Sequence, residues 1–413
     1  MKRSDFEIMA PVGSRESLAA AIKAGTDAIY FGIEGLNMRS RSSSNFSLQD
    51  LREIVAECKD KNVKTYLTVN TIIYDEDIAY MHSIVDAACE AKVSAIIASD
   101  IATILYARSK DVEVHISTQV NISNIEAVRF YSQFADVMVL ARELTLDQVK
   151  KIHDDIVKEG IKGPAGNIIR LEMFCHGALC MAVSGKCYMS LHKMNSSANR
   201  GACNQVCRRA YLLTDRETGD EIVVDNKYLM SPKDLKTIHF LNKMVDAGVS
   251  VFKIEGRARG PEYVAETVRC YSDALTAICR GEFTEDKINA WNQSLTKVFN
   301  RGFWNGYYLG QRLGEWSEKY GSSATRTKFY IAKVVRYFSK LGVGEFRMES
   351  GELKPGDEVI ITGPTTGALI FKAEELRLEI EPVPVVKKGD LFSMPVPAKI
   401  RPSDRLYIWK PIN

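Results

Sequence analysis

Eight short, mainly apolar segments, four of them closing on a polar or charged residue, set the main limit on what this chain can fold into. They are Glu7–Pro11, Asp27–Gly32, Lys64–Asn70, Ala95–Asp100, Val114–Val120, Val137–Glu143, Ile169–Phe174 and Val251–Arg257, with amphipathic helical stretches between them. Segments that are apolar throughout, not alternating, predict parallel strands buried on both faces. The stretch from Gly13 to Gly25 shows the helical counterpart, closed by a glycine. Eight strand–helix units over about 260 residues fit a TIM-type (β/α)8 barrel of the α/β class. An open doubly wound sheet is the alternative, but the first turn, Ala10-Pro-Val-Gly-Ser, lacks its glycine fingerprint.

The eighth strand is delayed by a cysteine-rich insertion at about 175–230 and a segment that reads as helical from about Ser231. An insertion after a strand falls at the C-terminal rim, where barrel enzymes build their active sites. Residues from about 261 to 315 also read as helical. The polar stretch Gly321–Thr327 then separates a first domain, 1–320, from a second, 321–413. The second has strands at Phe329–Phe338, Val343–Met348, Asp357–Thr362 and Leu391–Met394, with Pro/Gly/Asp turns between them. They predict a small antiparallel β-barrel.

Charge excludes little: 55 Lys and Arg stand against 52 Asp and Glu, a net +3. No apolar run reaches the roughly 18–20 residues that span a bilayer. The opening Met-Lys-Arg-Ser-Asp-Phe-Glu lacks the apolar core of a signal peptide. The expectation is a cytoplasmic protein with no membrane partner, whose nine cysteines are reduced thiols and whose clustered ones bind metal or react.

Five of those cysteines, Cys175, Cys180, Cys187, Cys203 and Cys207, crowd the insertion. Their uneven spacing suits an iron–sulfur cluster, which takes four thiolates. Structural zinc favours paired close knuckles, and only Cys203 and Cys207 provide one. A catalytic cysteine paired with His176 or His192 is the third reading. Spacing does not fix which four bind; Cys175, directly after a strand, is the natural outsider. Cys58, Cys89, Cys270 and Cys279 lie in helical stretches and read as buried small hydrophobes.

The strand ends carry a second set: Asn70, Asp100, Gln119, Asn121, Arg142, Glu143, Lys253, Glu255 and Arg257. In a barrel these line the substrate pocket. Arg142, Lys253 and Arg257 suit a carboxylate or phosphate. Rim ion pairs and helix caps are the plain alternative. His115 reads as structural. Neither HExxH nor G-x-S-x-G occurs, so hydrolase machinery is not evident.

Several of these stretches resemble one family. Glu172–Ser190, Asn199–Arg208, Met230–Leu235, Lys253–Arg257, Ala10–Ser14 and Asp27–Gly32 are similar to the motifs of the peptidase U32, or collagenase-like protease, family. The family name implies proteolysis. Its hydroxylase branches imply instead a 4Fe–4S enzyme that works without dioxygen on ubiquinone precursors, a ribosomal RNA cytidine or the wobble uridine of tRNA. The chain looks most like the tRNA branch. That likeness implies Cys180, Cys187, Cys203 and Cys207 as cluster ligands and prephenate as oxygen source; the rim positions of Asn70, Gln119, Arg142, Lys253 and Arg257 then suit them to substrate binding. Glu143 and Glu255 are then the candidate acid/base groups. A peptidase and a zinc-stabilised interaction protein are the alternatives.

Overall fold

The structure, a computed structural model, describes residues 1–41, 45–209, 211–224, 231–317 and 321–412. Eight parallel strands form its centre: β1 Glu7–Pro11, β2 Ala28–Phe31, β3 Lys64–Val69, β4 Ala95–Ala98, β5 Val114–Ile116, β6 Val137–Val139, β7 Arg170–Gly177 and β8 Val249–Ile254. Each pairs with the next in order, and β8 closes the ring on both β1 and β7. This is the expected (β/α)8 barrel. Strands β1, β2 and β4 are buried at every residue, as parallel strands covered on both sides must be.

The helices begin where their sequences supply caps. Helix α1, Arg15–Lys23, opens with Ser14 accepting from the Ser17 amide. Helices α2, Leu48–Asp60, and α6, Leu146–Glu159, open with the reciprocal boxes Ser47/Asp50 and Thr145/Gln148. Between these two lie α3 Ile78–Ala91, α4 Ile101–Ser109 and α5 Ile125–Tyr131; α7 Met189–Met194 and α8 Leu241–Asp246 precede β8. Helix α9, Pro261–Arg280, starts on a proline and stops at Gly281.

One apolar cluster fills the barrel lumen, built from Met9, Tyr30, Tyr66, Ile97, Val137 and Val251 among others. The main core packs the outward strand faces against the helices.

The region expected to be helical from Ser231 instead opens with a strand, Asp234–Lys236, antiparallel to the end of β7. The helical stretch expected over 261–315 ends with α10, Glu285–Lys297. After it, Phe303–Trp304 pairs with Asp234–Leu235, and Gly302 and Gly306 take positive φ of 76° and 63° that a helix does not allow. Residues 225–230, at the end of the expected insertion and including Met230, lie outside the described residues, as do 318–320 at the expected domain boundary.

The C-terminal part is antiparallel, as expected: β9 Arg326–Phe338, β10 Val343–Met348, β11 Glu358–Gly363, β12 Gly367–Lys372, β13 Leu391–Pro395 and β14 Arg405–Pro411. Their order is β12-β11-β14-β9-β10-β13, extended by two short strands, around a core of its own. Ile360 and Trp409 join the barrel's core, and Lys23 at the end of α1 donates to the Thr366 carbonyl at 2.9 Å. No helix among the described residues is long and apolar enough to cross a membrane.

Candidate functional site

At the C-terminal ends of the strands lies a cavity of about 220 Å³. Its floor is the top of the lumen, where Tyr30 of β2, Phe174 of β7 and Lys253 of β8 face inward. Its wall is the insertion. Gly177 turns the chain there with φ +102°, and a β-carbon at that position would stand 2.3 Å from the Glu255 carbonyl oxygen. The insertion is then tied back to the barrel. Arg200 pairs with Asp77 at 2.8 Å and Asn121 donates to the Ser184 carbonyl, while within the insertion Arg208 donates to the Leu179 carbonyl.

Cys180, Cys187, Cys203 and Cys207 all line this cavity as free thiols, and only Cys180 is exposed. Burial, the largest effect, leaves the Cys207 thiol above its ordinary value although Arg208 pulls it down, and Cys180, Cys203 and Cys187 push it up further. The four are therefore electrostatic neighbours. Arg39 is in turn held charged by Glu255 and, more weakly, by Cys203. Cations beside thiols favour the thiolate, the form that binds metal. Four thiols flanked by guanidinium groups thus make a donor set suited to an anionic metal–thiolate cluster. Among the described residues no three His, Cys, Asp or Glu are already drawn into the arrangement that would hold a single metal ion.

Cys175 stands apart: fully buried, it donates to the Lys253 carbonyl at 3.4 Å, and burial raises its pKa far above the usual thiol value. Cys58 and Cys270 are buried as expected. Cys89 is exposed and Cys279 half-buried, because their helix faces point outward. The cysteine–histidine pairing does not assemble. His176 is buried against Tyr271, where burial lowers it to about 3; His192 is exposed; and among the described residues no histidine lines the cavity.

The expected rim residues divide. Asn70, Gln119, Arg142, Lys253, Glu255 and Arg257 share the cavity with the thiols. Asn70 donates to Ser117 Oγ at 3.1 Å and to Gln119 Oε1 at 3.2 Å, a short amide chain along one side. Arg142 lies flat on the Phe174 ring, 3.7 Å from its centroid, and donates to the Ala178 carbonyl. Lys253 is buried and bonds Glu172 Oε1 at 2.8 Å.

Arg257 is buried among neutral acceptors only, the side-chain oxygens of Asn37, Thr68 and Asn45, and its Nε has no partner. Burial lowers it to about 10. A buried cation without a bonded carboxylate is costly and is a ready anion site.

Asp100 and Asn121 are structural. Asp100 caps α4 through the Ala102 amide, and Asn121 bonds the Gln119 and Ser184 carbonyls. Glu143 is exposed and lines a second cavity, with Trp304 and Trp316, on the far side of the Cys180 loop. His115, as expected, is buried in the lumen beside Tyr66 at the other end of the strands.

Glu255 accepts from Arg39 at 2.7 Å and from the Tyr30 hydroxyl at 3.1 Å. Burial alone would raise its pKa, but Arg39 and Arg142 hold it down at about 2, so the carboxylate is ionised near neutrality. That fits an anchor for Arg39 better than a proton donor. Arg39, Tyr30 and Arg208 are among the cavity residues to which the sequence assigned no role; Arg208 had a signal in directly following Cys207, and Tyr30 in lying within the Asp27–Gly32 stretch.

The family model described as Peptidase family U32 matches residues 13–318. A collagenase of Porphyromonas gingivalis is 64% identical over 407 residues, covering 98% of this chain and 98% of that protein. A tRNA hydroxylation protein of Bacillus subtilis is 31% identical over 366 residues, 87% of this chain and 83% of its own. A 23S rRNA 5-hydroxycytidine synthase of Escherichia coli is 34% identical over 317 residues, 75% of this chain and 46% of its own. With a family match over well more than half of the chain and relatives of this identity along its length, the chain belongs to peptidase family U32.

Proposed function

We propose that the protein is an iron–sulfur-dependent hydroxylase of an RNA base, acting in the cytoplasm without dioxygen, with the wobble uridine of tRNA as target and 5-hydroxyuridine as product. One observation carries the reading: four free thiols line one cavity at the strand ends together with several cations, Arg142, Lys253 and Arg257 among them. The relatives named for tRNA hydroxylation and 5-hydroxycytidine synthesis support an RNA substrate.

Converting a C–H bond to C–OH adds one oxygen atom and oxidises the base by two electrons. Without dioxygen, an oxygen-bearing co-substrate gives up that atom and takes up the two electrons. An anionic donor of prephenate's class matches the cations. Cys180, Cys187, Cys203 and Cys207 would hold a 4Fe–4S cluster, which supplies one-electron redox chemistry when bound. Arg142 and Arg257 bind the donor's carboxylates, and Lys253, fixed by Glu172, sets their position from below. Asn70 and Gln119 offer amide groups to a base edge, and Glu255 orients Arg39.

The test has two parts. Anaerobic reconstitution should give a brown protein with about four irons per chain. Mass spectrometry of tRNA and rRNA nucleosides from a deletion strain should show loss of one hydroxylated base. A colourless protein holding one zinc, or an unchanged nucleoside profile, would overturn the proposal.

The relative named collagenase favours a peptidase as second reading. It requires gelatin cleavage that a Cys180→Ser, Cys203→Ser double variant retains and an Arg257→Ala variant loses.

A further inference from the structure

Residues 321–413 carry the whole of the chain's positive excess, while residues 1–320 are close to neutral. The charges are ordered. Lys333 on β9 stands directly opposite Arg347 on β10 and Arg405 on β14. Register partners share a face, so Arg405, Lys333 and Arg347 form one row across three adjacent strands, in steps of about 5 Å. All three are exposed. The ion pairs of this segment go to other cations, Arg326, Lys328, Lys354 and Arg377. Among the described residues the three of the row have no carboxylate partner.

Two features extend the row. Arg347 donates to the Gly389 carbonyl at 3.3 Å, in the turn that carries the exposed Lys387 and Lys388. Tyr407, two residues from Arg405 and so on the same face, meets Tyr330 with ring centroids 5.6 Å apart.

Like charges set directly opposite one another destabilise a sheet. Three in succession serve nothing inside the fold, so their use lies with a ligand. Its size follows from where the row sits. Asp404, next to Arg405, accepts from Thr366, whose carbonyl accepts from Lys23 at the end of α1. Helix α1 leaves the thiol end of the barrel after β1 and finishes at the opposite end. The row and the thiol cavity are therefore separated by about the length of the barrel strands, on the order of 20 Å. A small anion cannot touch both. A nucleic-acid stem, with a regular series of phosphates and a flexible end, can.

We propose that Arg405, Lys333 and Arg347 dock the phosphate backbone of an RNA stem, while a base of the same RNA reaches the thiol cavity. Only the second clause rests on the hydroxylase reading. The test uses the full chain, with an unmodified tRNA transcript and a plain RNA hairpin as probes, by fluorescence anisotropy over a range of salt concentrations. Both probes should bind, with affinity falling linearly on a log–log plot against salt.

The Lys333→Glu, Arg347→Glu, Arg405→Glu variant should lose at least about tenfold in affinity and flatten the salt slope by about 2–3. Arg347→Gln alone should flatten it by about 1, and Arg347→Lys should not, which keeps the test usable if the triple variant folds poorly. Equal affinity and slope for native and variant proteins would overturn the proposal. So would tighter binding of polyglutamate than of the hairpin, the mark of an acidic protein partner. Absence of iron or of a hydroxylated nucleoside would remove the hydroxylase reading and leave the slope difference, so the two fail separately.

Discussion

Arg39 Nη2 stands 2.7 Å from Glu255 Oε1, joining the loop after β2 to the turn after β8. These segments lie far apart in the chain, and the pair fixes the cavity wall between them. Glu255, held at about 2 against an ordinary 4.5, keeps its charge well below neutrality. Its depressed pKa means that the pair's stabilisation is complete above about 4.5 and fades as the pH falls toward 2. Replacing Arg39 by Ala should cost about 3 kcal/mol near neutrality, read by urea denaturation. Glu255→Gln should flatten the acid limb of the stability profile. An Arg39→Ala protein as stable as the native one would show that the pair does not hold the wall.

Lys253 on β8 and Glu172 on β7, diagonal neighbours because Glu172 is in register with Val251, are both buried and pair at 2.8 Å. Removing one partner strands the other charge in the lumen, at a cost of about 3–5 kcal/mol. Lys253→Met should therefore destabilise strongly, and Lys253→Met combined with Glu172→Leu should recover much of the loss. Denaturation of the two single variants and the double gives the coupling directly. Additive losses would contradict it.

The barrel was legible because its strands are mainly apolar without a two-residue alternation, the pattern that two-sided burial produces. The strand ends were read too long: β5 stops at Ile116, with Gln119 in the 3-10 turn Thr118–Val120, and β6 stops at Val139, with Arg142 in the turn beyond it. Asp234–Lys236 was misread as helix because its structure comes from pairing with Gly177 and His176, more than 50 residues away. The thiols and Arg257 were placed by their position after strands. Arg39 and Tyr30 were not, because their partner, Glu255, is more than 200 residues away. Arg142 lines both cavities and Glu143 only the second, because both lie in the turn after β6, where the two-residue alternation of a strand no longer holds.

Gly177 is the hinge between β7 and the cysteine segment. Its φ of +102° is strained for any side chain, and a β-carbon would strike the Glu255 carbonyl oxygen at 2.3 Å. Gly177→Ala should cost about 1–3 kcal/mol from the backbone alone. It should also push Glu255 away from Arg39, removing the acid-limb contribution described above. A variant with native stability and an unchanged acid limb would show that the loop absorbs the methyl group elsewhere.

Cys175 offers the sharpest control for the metal site. It lies five residues from Cys180, yet its thiol points into the core and bonds the Lys253 carbonyl, away from the cavity that holds the other four. A serine hydroxyl can make the same bond, so Cys175→Ser should fold and keep the native iron-to-protein ratio after anaerobic reconstitution. Cys180→Ser, Cys187→Ser, Cys203→Ser and Cys207→Ser each remove one of four ligands and should lower iron and sulfide to about half or less, with loss of the visible absorbance. Colorimetric iron and sulfide assays with a visible spectrum decide it. Iron lost from Cys175→Ser as fully as from Cys203→Ser would move the ligand set into the core between strands and helices, where Cys175 packs away from the cavity wall.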